Sequence, residues 1–137
     1  METVKWGIIG CGDVCEMKNG PGLYKLEHSE LVAVMRRNAA AAEDYAKRHN
    51  VPRWYTDAQQ LIDDDEVNAI YIATTPSSHC EYAMAVAEAG KPCVVEKPMG
   101  CSAEECERMV EAFKAKGVLL FVQFYRRALP RFLKTRE

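Results

Sequence analysis

The chain has 137 residues, of which 48% are apolar and 28% charged, and its formal net charge is −2. This is the size and balance of one ordinary globular domain with a single core. So small a charge offers no general attraction to nucleic acid or to anionic membranes, and no apolar run approaches the roughly 20 residues of a spanning helix.

A β-rich run from Val4 to Ile9 starts almost at once, which leaves no room for a signal peptide. It ends in Gly10-Cys11-Gly12-Asp13-Val14-Cys15, two close glycines ahead of a helix. Gly10 permits a tight turn, and Gly12 lets the backbone approach a pyrophosphate with no Cβ in the way. The helix N-terminus at Asp13 and Val14 then offers free amides to phosphate oxygens. The third glycine of the usual G-x-G-x-x-G turn is Cys15 here. That position controls helix–strand packing, so a small thiol is a tolerable departure. A tight turn with no ligand is the plain alternative, and the βαβ context argues against it. The helix that follows is expected to break after two turns, because Asn19-Gly20-Pro21-Gly22 opposes its continuation and predicts an irregular loop.

Leu31 to Met35 is the second strand, followed by Arg36-Arg37-Asn38. An acid at this point would bond the adenine ribose of NAD, whereas a guanidinium grips a 2′-phosphate or stacks on adenine. With two arginines and no acid, NADP is the expected cofactor, with NAD the alternative. Solvated surface arginines are the bland reading. Asn38 and Asp57 can cap helices on either side of a weak strand near Arg53-Trp54-Tyr55. Ala69 to Ala73 is the next strand and runs into Thr74-Thr75-Pro76. Ser78-x-x-Glu81 and Ser102-x-x-Glu105 read as capping boxes, with stops at Gly90 and Gly117. After Ser102, the residues Cys106, Met109, Val110 and Phe113 fall on one helical face. Cys93 to Glu96 and Val118 to Val122 complete the strands. Strands apolar on both faces belong in a parallel sheet covered by helices, so the fold class is α/β, a doubly wound Rossmann-type sheet in three layers.

Six cysteines stand at positions 11, 15, 80, 93, 101 and 106 with no Cys-x-x-Cys pair and no zinc-ligand spacing. They are expected to be reduced, mostly buried thiols of a cytoplasmic protein, with no metal.

Glu96-Lys97-Pro98, with the glycine turn, Ala73-Thr74-Thr75-Pro76-Ser77-Ser78-His79 and Ala89-Gly90-Lys91-Pro92, resembles the glucose–fructose oxidoreductase, inositol dehydrogenase and rhizopine-catabolism family (Gfo/Idh/MocA). The resemblance runs from about Val4 to Arg131 and includes Arg126-Arg127-Ala128-Leu129-Pro130. It implies hydride transfer between a nicotinamide and a sugar, polyol or related secondary alcohol or ketone. It also implies that Lys97, the catalytic residue, bonds the reacting oxygen and helps move its proton. Glu96 matches a position near the nicotinamide ribose, and Thr74, Thr75 and Pro76 match a loop that passes the cofactor. His79 is expected in the first turn of its helix, as a structural or rim residue of the cofactor site rather than a catalyst, and Arg126 is a candidate contact to substrate or cofactor.

In that family a second domain supplies an aspartate and a histidine, but the histidines here, His28, His49 and His79, all precede the lysine motif. Residues 1–125 are therefore expected to be the NAD(P)-binding domain, and 126–137 the start of a connection to a missing domain. Such a chain is expected to bind dinucleotide yet be inactive by itself, and to form a homodimer or a weak higher association with Leu119, Phe121, Phe124 and Leu129 near the contact. The alternative is a non-catalytic dinucleotide sensor or scaffold, which would have no need of Lys97. A methyltransferase would leave both the glycine turn and the lysine motif as coincidence.

Overall fold

A computed structural model describes residues 2–136. Its six strands form one parallel sheet: β1 (Val4–Ile9), β2 (Ser29–Met35), β3 (Arg53–Tyr55), β4 (Ala69–Ile72), β5 (Cys93–Glu96) and β6 (Leu120–Gln123), in the spatial order β3-β2-β1-β4-β5-β6. The helices are α1 (Gly20–Lys25), α2 (Ala39–Arg48), α3 (Ala58–Ile62), α4 (Pro76–Glu88), α5 (Ala103–Lys116) and α6 (Pro130–Arg136). This is the doubly wound α/β architecture.

Side chains alternate across a strand, so neighbours feed opposite cores. Ile8 joins Cys15, Val34, Tyr45 and Tyr71 on the α2 side of the sheet. Ile9 joins Ile70, Ile72 and Val95 on the other side, under Leu61, Val86, Met109 and Phe113 from α3, α4 and α5. Apolar cover on both faces explains why the strands read as unbroken apolar runs.

Local capping signals are realised where the helix begins at the capping residue. Asn38 Oδ1 accepts from the Ala41 amide at 3.0 Å, and Asp57 Oδ1 from Gln59 at 2.7 Å and Gln60 at 3.2 Å. Ser102 Oγ accepts from Glu105 at 3.2 Å. Gly117 closes α5 at φ 66°. The pattern at Ser78 misleads. α4 starts two residues earlier, at Pro76, where the fixed φ of proline opens a helix without needing a capped amide. Ser78 lies within the first turn, and its hydroxyl donates to Thr74 Oγ1 at 2.8 Å.

Three other expectations are corrected. The first helix does not break at Asn19-Gly20-Pro21-Gly22. A π-turn over Cys15–Asn19 passes directly into α1, which carries Pro21 at its second position. Val110 is half exposed, while Met109 and Phe113 are buried, so the packed stripe of α5 is centred away from Val110. β6 begins at Leu120 rather than Val118, because the Val118 amide is still spent on the Phe113 carbonyl at the end of α5.

The cover thins over the end of the sheet. Val94 is half-buried, and Phe121 and Leu119 are 53% and 62% exposed beside a hollow of about 450 Å³. Past β6 the chain makes a 3-10 turn (Tyr125–Ala128) before α6. Among the described residues no helix is long and apolar enough to cross a membrane.

Candidate functional site

The strand order reverses between β1 and β4, and in a doubly wound sheet the crevice at the carboxyl ends of the strands opens there. Gly10 leaves β1 at φ +90° and donates its amide to the Met35 carbonyl at 2.9 Å. Gly12 N–H bonds the Gly10 carbonyl at 2.8 Å, and the Gly12 carbonyl accepts from Cys15 at 2.9 Å and Glu16 at 3.1 Å. These bonds turn the chain sharply into its helix. Asp13 and Val14 occupy the first helical turn, where amides have no intrahelical partner. A Cβ on Gly12 would meet no protein atom within 4 Å, so that space is open to a ligand. Burial pushes the Cys11 thiol up to about 11 and the Cys15 thiol up to about 12. Both stay neutral at pH 7, and no thiolate stands behind the turn to oppose an anion.

The crevice has two compartments. The larger, about 550 Å³, is lined by Gly10, Gly12, Arg36, Arg37, Thr75 and Tyr82 among others. The smaller, about 120 Å³, is lined by Lys18, Asn19, Glu96, Lys97 and Tyr125. Val14, Ala73 and Thr74 line both, so the two are parts of one groove running from the end of β2 to the end of β5. Arg36 and Arg37 are exposed at its β2 end, and Arg37 also borders an adjoining recess of about 320 Å³.

At the β5 end, Glu96 is buried with both carboxylate oxygens engaged. Oε1 accepts from the Tyr71 hydroxyl at 2.6 Å and from Asn19 Nδ2, and Oε2 accepts from the Lys97 amide at 3.1 Å. The Lys97 side chain is exposed at the groove, and the Lys97–Pro98 peptide is cis. Burial and the Glu96 contact raise the Tyr71 phenol, which remains a hydrogen-bond donor at any ordinary pH.

Several expected residues therefore come together: Gly10, Gly12, Val14, Arg36, Arg37, Thr74, Thr75, Glu96 and Lys97 all line the groove. Asp13, Pro76, His79 and Arg126 line neither compartment. His79 is fully buried, with one ring nitrogen 2.9 Å from the Pro98 carbonyl and the other 3.0 Å from the Thr74 carbonyl. It ties the loop after β4 to the loop after β5. Arg126 reaches the groove only indirectly; beside the hydroxyl of Tyr125, it holds that phenol below its usual value. The sequence reading missed Lys18, Asn19, Tyr71, Tyr82 and Tyr125. Glu81 also lines the larger compartment, although its spacing from Ser78 suggested a cap.

Residues 4–124 match the model of an oxidoreductase family with an NAD-binding Rossmann fold, Gfo/Idh/MocA. The chain belongs to this family. Its fold is that of the family's NAD-binding domain. It is 51% identical over 134 residues to Oxidoreductase P35 of Formosa agariphila, covering 98% of this chain and 42% of that protein. It is 32% identical over 137 residues to trans-1,2-dihydrobenzene-1,2-diol dehydrogenase of Mus musculus, covering 98% and 41%. The fold is also that of KijD10, a 3-ketoreductase from Actinomadura kijaniata in complex with NADP and TDP-benzene, at TM-score 0.92 and 24% identity over 98% of this chain and 41% of that one. The Gfo/Idh/MocA chain described here spans about two fifths of the length of the curated relatives it matches.

Proposed function

We propose that this chain is the cofactor-binding part of an oxidoreductase that moves a hydride between NADP(H) and a secondary alcohol, or its ketone, on a sugar, polyol or related cyclic diol. The observation that carries this reading is one groove with a glycine turn and two arginines near one end and Glu96 with Lys97 at the other. A dinucleotide matches it in chemistry: adenosine beside Arg36 and Arg37, pyrophosphate over the amides of residues 12–14, nicotinamide ribose beside Glu96. When bound, the nicotinamide supplies or takes the hydride. Lys97 donates a hydrogen bond to the carbonyl oxygen as negative charge grows there and passes it a proton, and in the reverse direction it receives that proton. The mouse relative is by name a dehydrogenase of a trans-1,2-diol, which supports chemistry at an alcohol carbon.

In the same reading, residues 1–125 form the dinucleotide-binding domain and 126–137 lead towards a further domain. The six free thiols accord with a cytoplasmic location.

The test is a melting curve against cofactor. A ligand that binds only the folded chain stabilises it by about 2.7 kcal/mol at a hundred times its Kd. The melting temperature is therefore expected to rise by several degrees with millimolar NADP(H), while this chain alone turns over no sugar or polyol. No shift with either NAD(H) or NADP(H) rejects the reading. Binding without hydride transfer by a protein of the relatives' full length favours a sensor module instead.

Leu119, Phe121 and Phe124 are exposed and Leu129 is half-buried, and apolar area left uncovered in this way favours self-association. Sedimentation is expected to show mass rising with concentration. A clean monomer from micromolar to millimolar would count against this.

A further inference from the structure

Glu96 carries a buried carboxylate with no cationic side chain paired to it among the described residues. A charge in that position needs strong donors. It obtains them from two elements far apart in the chain. Tyr71, 2% exposed on β4, gives its hydroxyl hydrogen to Oε1 at 2.6 Å. Asn19 ends the π-turn, where the Gly20 amide bonds back to the Cys15 carbonyl five residues earlier. Its amide nitrogen spends one hydrogen on the Tyr71 hydroxyl, at 2.9 Å, and the other on the same Oε1. Gln123 Nε2, at 3.5 Å from Asn19 Oδ1, steadies that amide from β6. Oε1 is thus engaged by two side chains, whereas Oε2 receives only the Lys97 backbone amide at 3.1 Å and keeps acceptor capacity. Glu96 borders the small compartment beside Lys97 and Asn19.

We propose that Asn19 and Tyr71 are positioning residues for the nicotinamide end of the groove, acting through Glu96. By locking Oε1 they set the direction of Oε2, which accepts hydrogen bonds from the ribose hydroxyls next to the nicotinamide. Through the bond from the Lys97 amide to Oε2, they also fix the backbone from which Lys97 projects. The proposal rests on the dinucleotide reading above. It adds two residues with no sequence signature and gives the π-turn a purpose: its wider winding delivers Asn19 to a carboxylate 77 residues away in the chain.

The test compares the preferred dinucleotide with its adenosine half, 2′,5′-ADP or ADP, on the parent chain, Tyr71→Phe and Asn19→Ala. The adenosine half occupies only the end of the groove near the arginines. Each variant is expected to bind the dinucleotide about tenfold more weakly, the worth of one charge-assisted hydrogen bond, with its affinity for the adenosine half unchanged within about twofold. Should Tyr71→Phe fail to fold, Asn19→Ala must show the same split, since Asn19 is only half-buried. Equal weakening of both ligands, or of neither, overturns the proposal. A parent that binds the adenosine half but discriminates nothing beyond it overturns it as well. A parent that binds neither ligand removes the dinucleotide reading and this inference together.

Discussion

Replacing Arg36 by aspartate is expected to weaken NADP(H) binding by one to two orders of magnitude while leaving NAD(H) similar or tighter. Arg36 sits at the carboxyl end of β2, its amide bonded to the Tyr55 carbonyl at 3.1 Å, and it lines the larger compartment together with Arg37. A guanidinium there makes charge-assisted bonds to a 2′-phosphate, each worth about 1.5–3 kcal/mol. Both arginines are exposed, so solvent and salt screening favour the lower end. One such contact gives about a tenfold preference and two about a hundredfold. Arg37 also borders the recess shared with Tyr82, where it can lie flat on adenine without distinguishing the cofactors. Glu81 lines the same compartment, so the variant would add a second carboxylate to its lining. The measurement is a pair of dissociation constants at one ionic strength, for parent and variant. Equal affinity of the parent for NAD(H) and NADP(H) would sink the idea.

Gly10→Ala is expected to lose dinucleotide binding and a large part of the stability. At φ +90° an L side chain is strained, and the new Cβ would stand 2.6 Å from Thr74 Cγ2, 3.0 Å from the Thr74 nitrogen and 3.1 Å from the Ala73 carbonyl carbon. Two of those three atoms are backbone, and that backbone cannot retreat freely. The Ala73 amide is bonded to the Ile9 carbonyl at 2.9 Å, and the Thr74 carbonyl to buried His79 at 3.0 Å. Backbone strain of about 1–3 kcal/mol and overpacking of a similar size add to roughly 2–6 kcal/mol. That is a large share of the roughly 5–15 kcal/mol that holds a domain folded. Urea unfolding reads the stability, and calorimetric titration reads the binding. Gly12→Ala is the control: with no protein atom within 4 Å of its Cβ, it should fold as the parent does and lose affinity alone. A Gly10→Ala variant as stable as Gly12→Ala would contradict the steric account.

What the sequence determined by itself is local. The order of strands and helices follows from apolar periodicity, and Asn38, Asp57 and Ser102 cap helices because each partner amide lies two or three residues away. The glycine turn and the two arginines were legible for the same reason: a strand, a turn and a helix start are adjacent in the chain. Tertiary structure decided what depends on distant neighbours. Ser78-x-x-Glu81 has the spacing of a cap, yet Pro76 opens the helix first and leaves Ser78 to bond Thr74. The stretch after Asn19 has the composition of a break, yet the π-turn and the packing of buried Gly20 carry the helix through it. His79 was legible as part of a motif, but only the folded loops bring the Thr74 and Pro98 carbonyls to its two nitrogens. Asn19 and Tyr71 meet Glu96 across 77 and 25 residues of chain, and no local pattern encodes that meeting. A buried carboxylate draws its donors from whichever strands and turns the sheet sets beside it, and that choice is made by the packing of the whole domain.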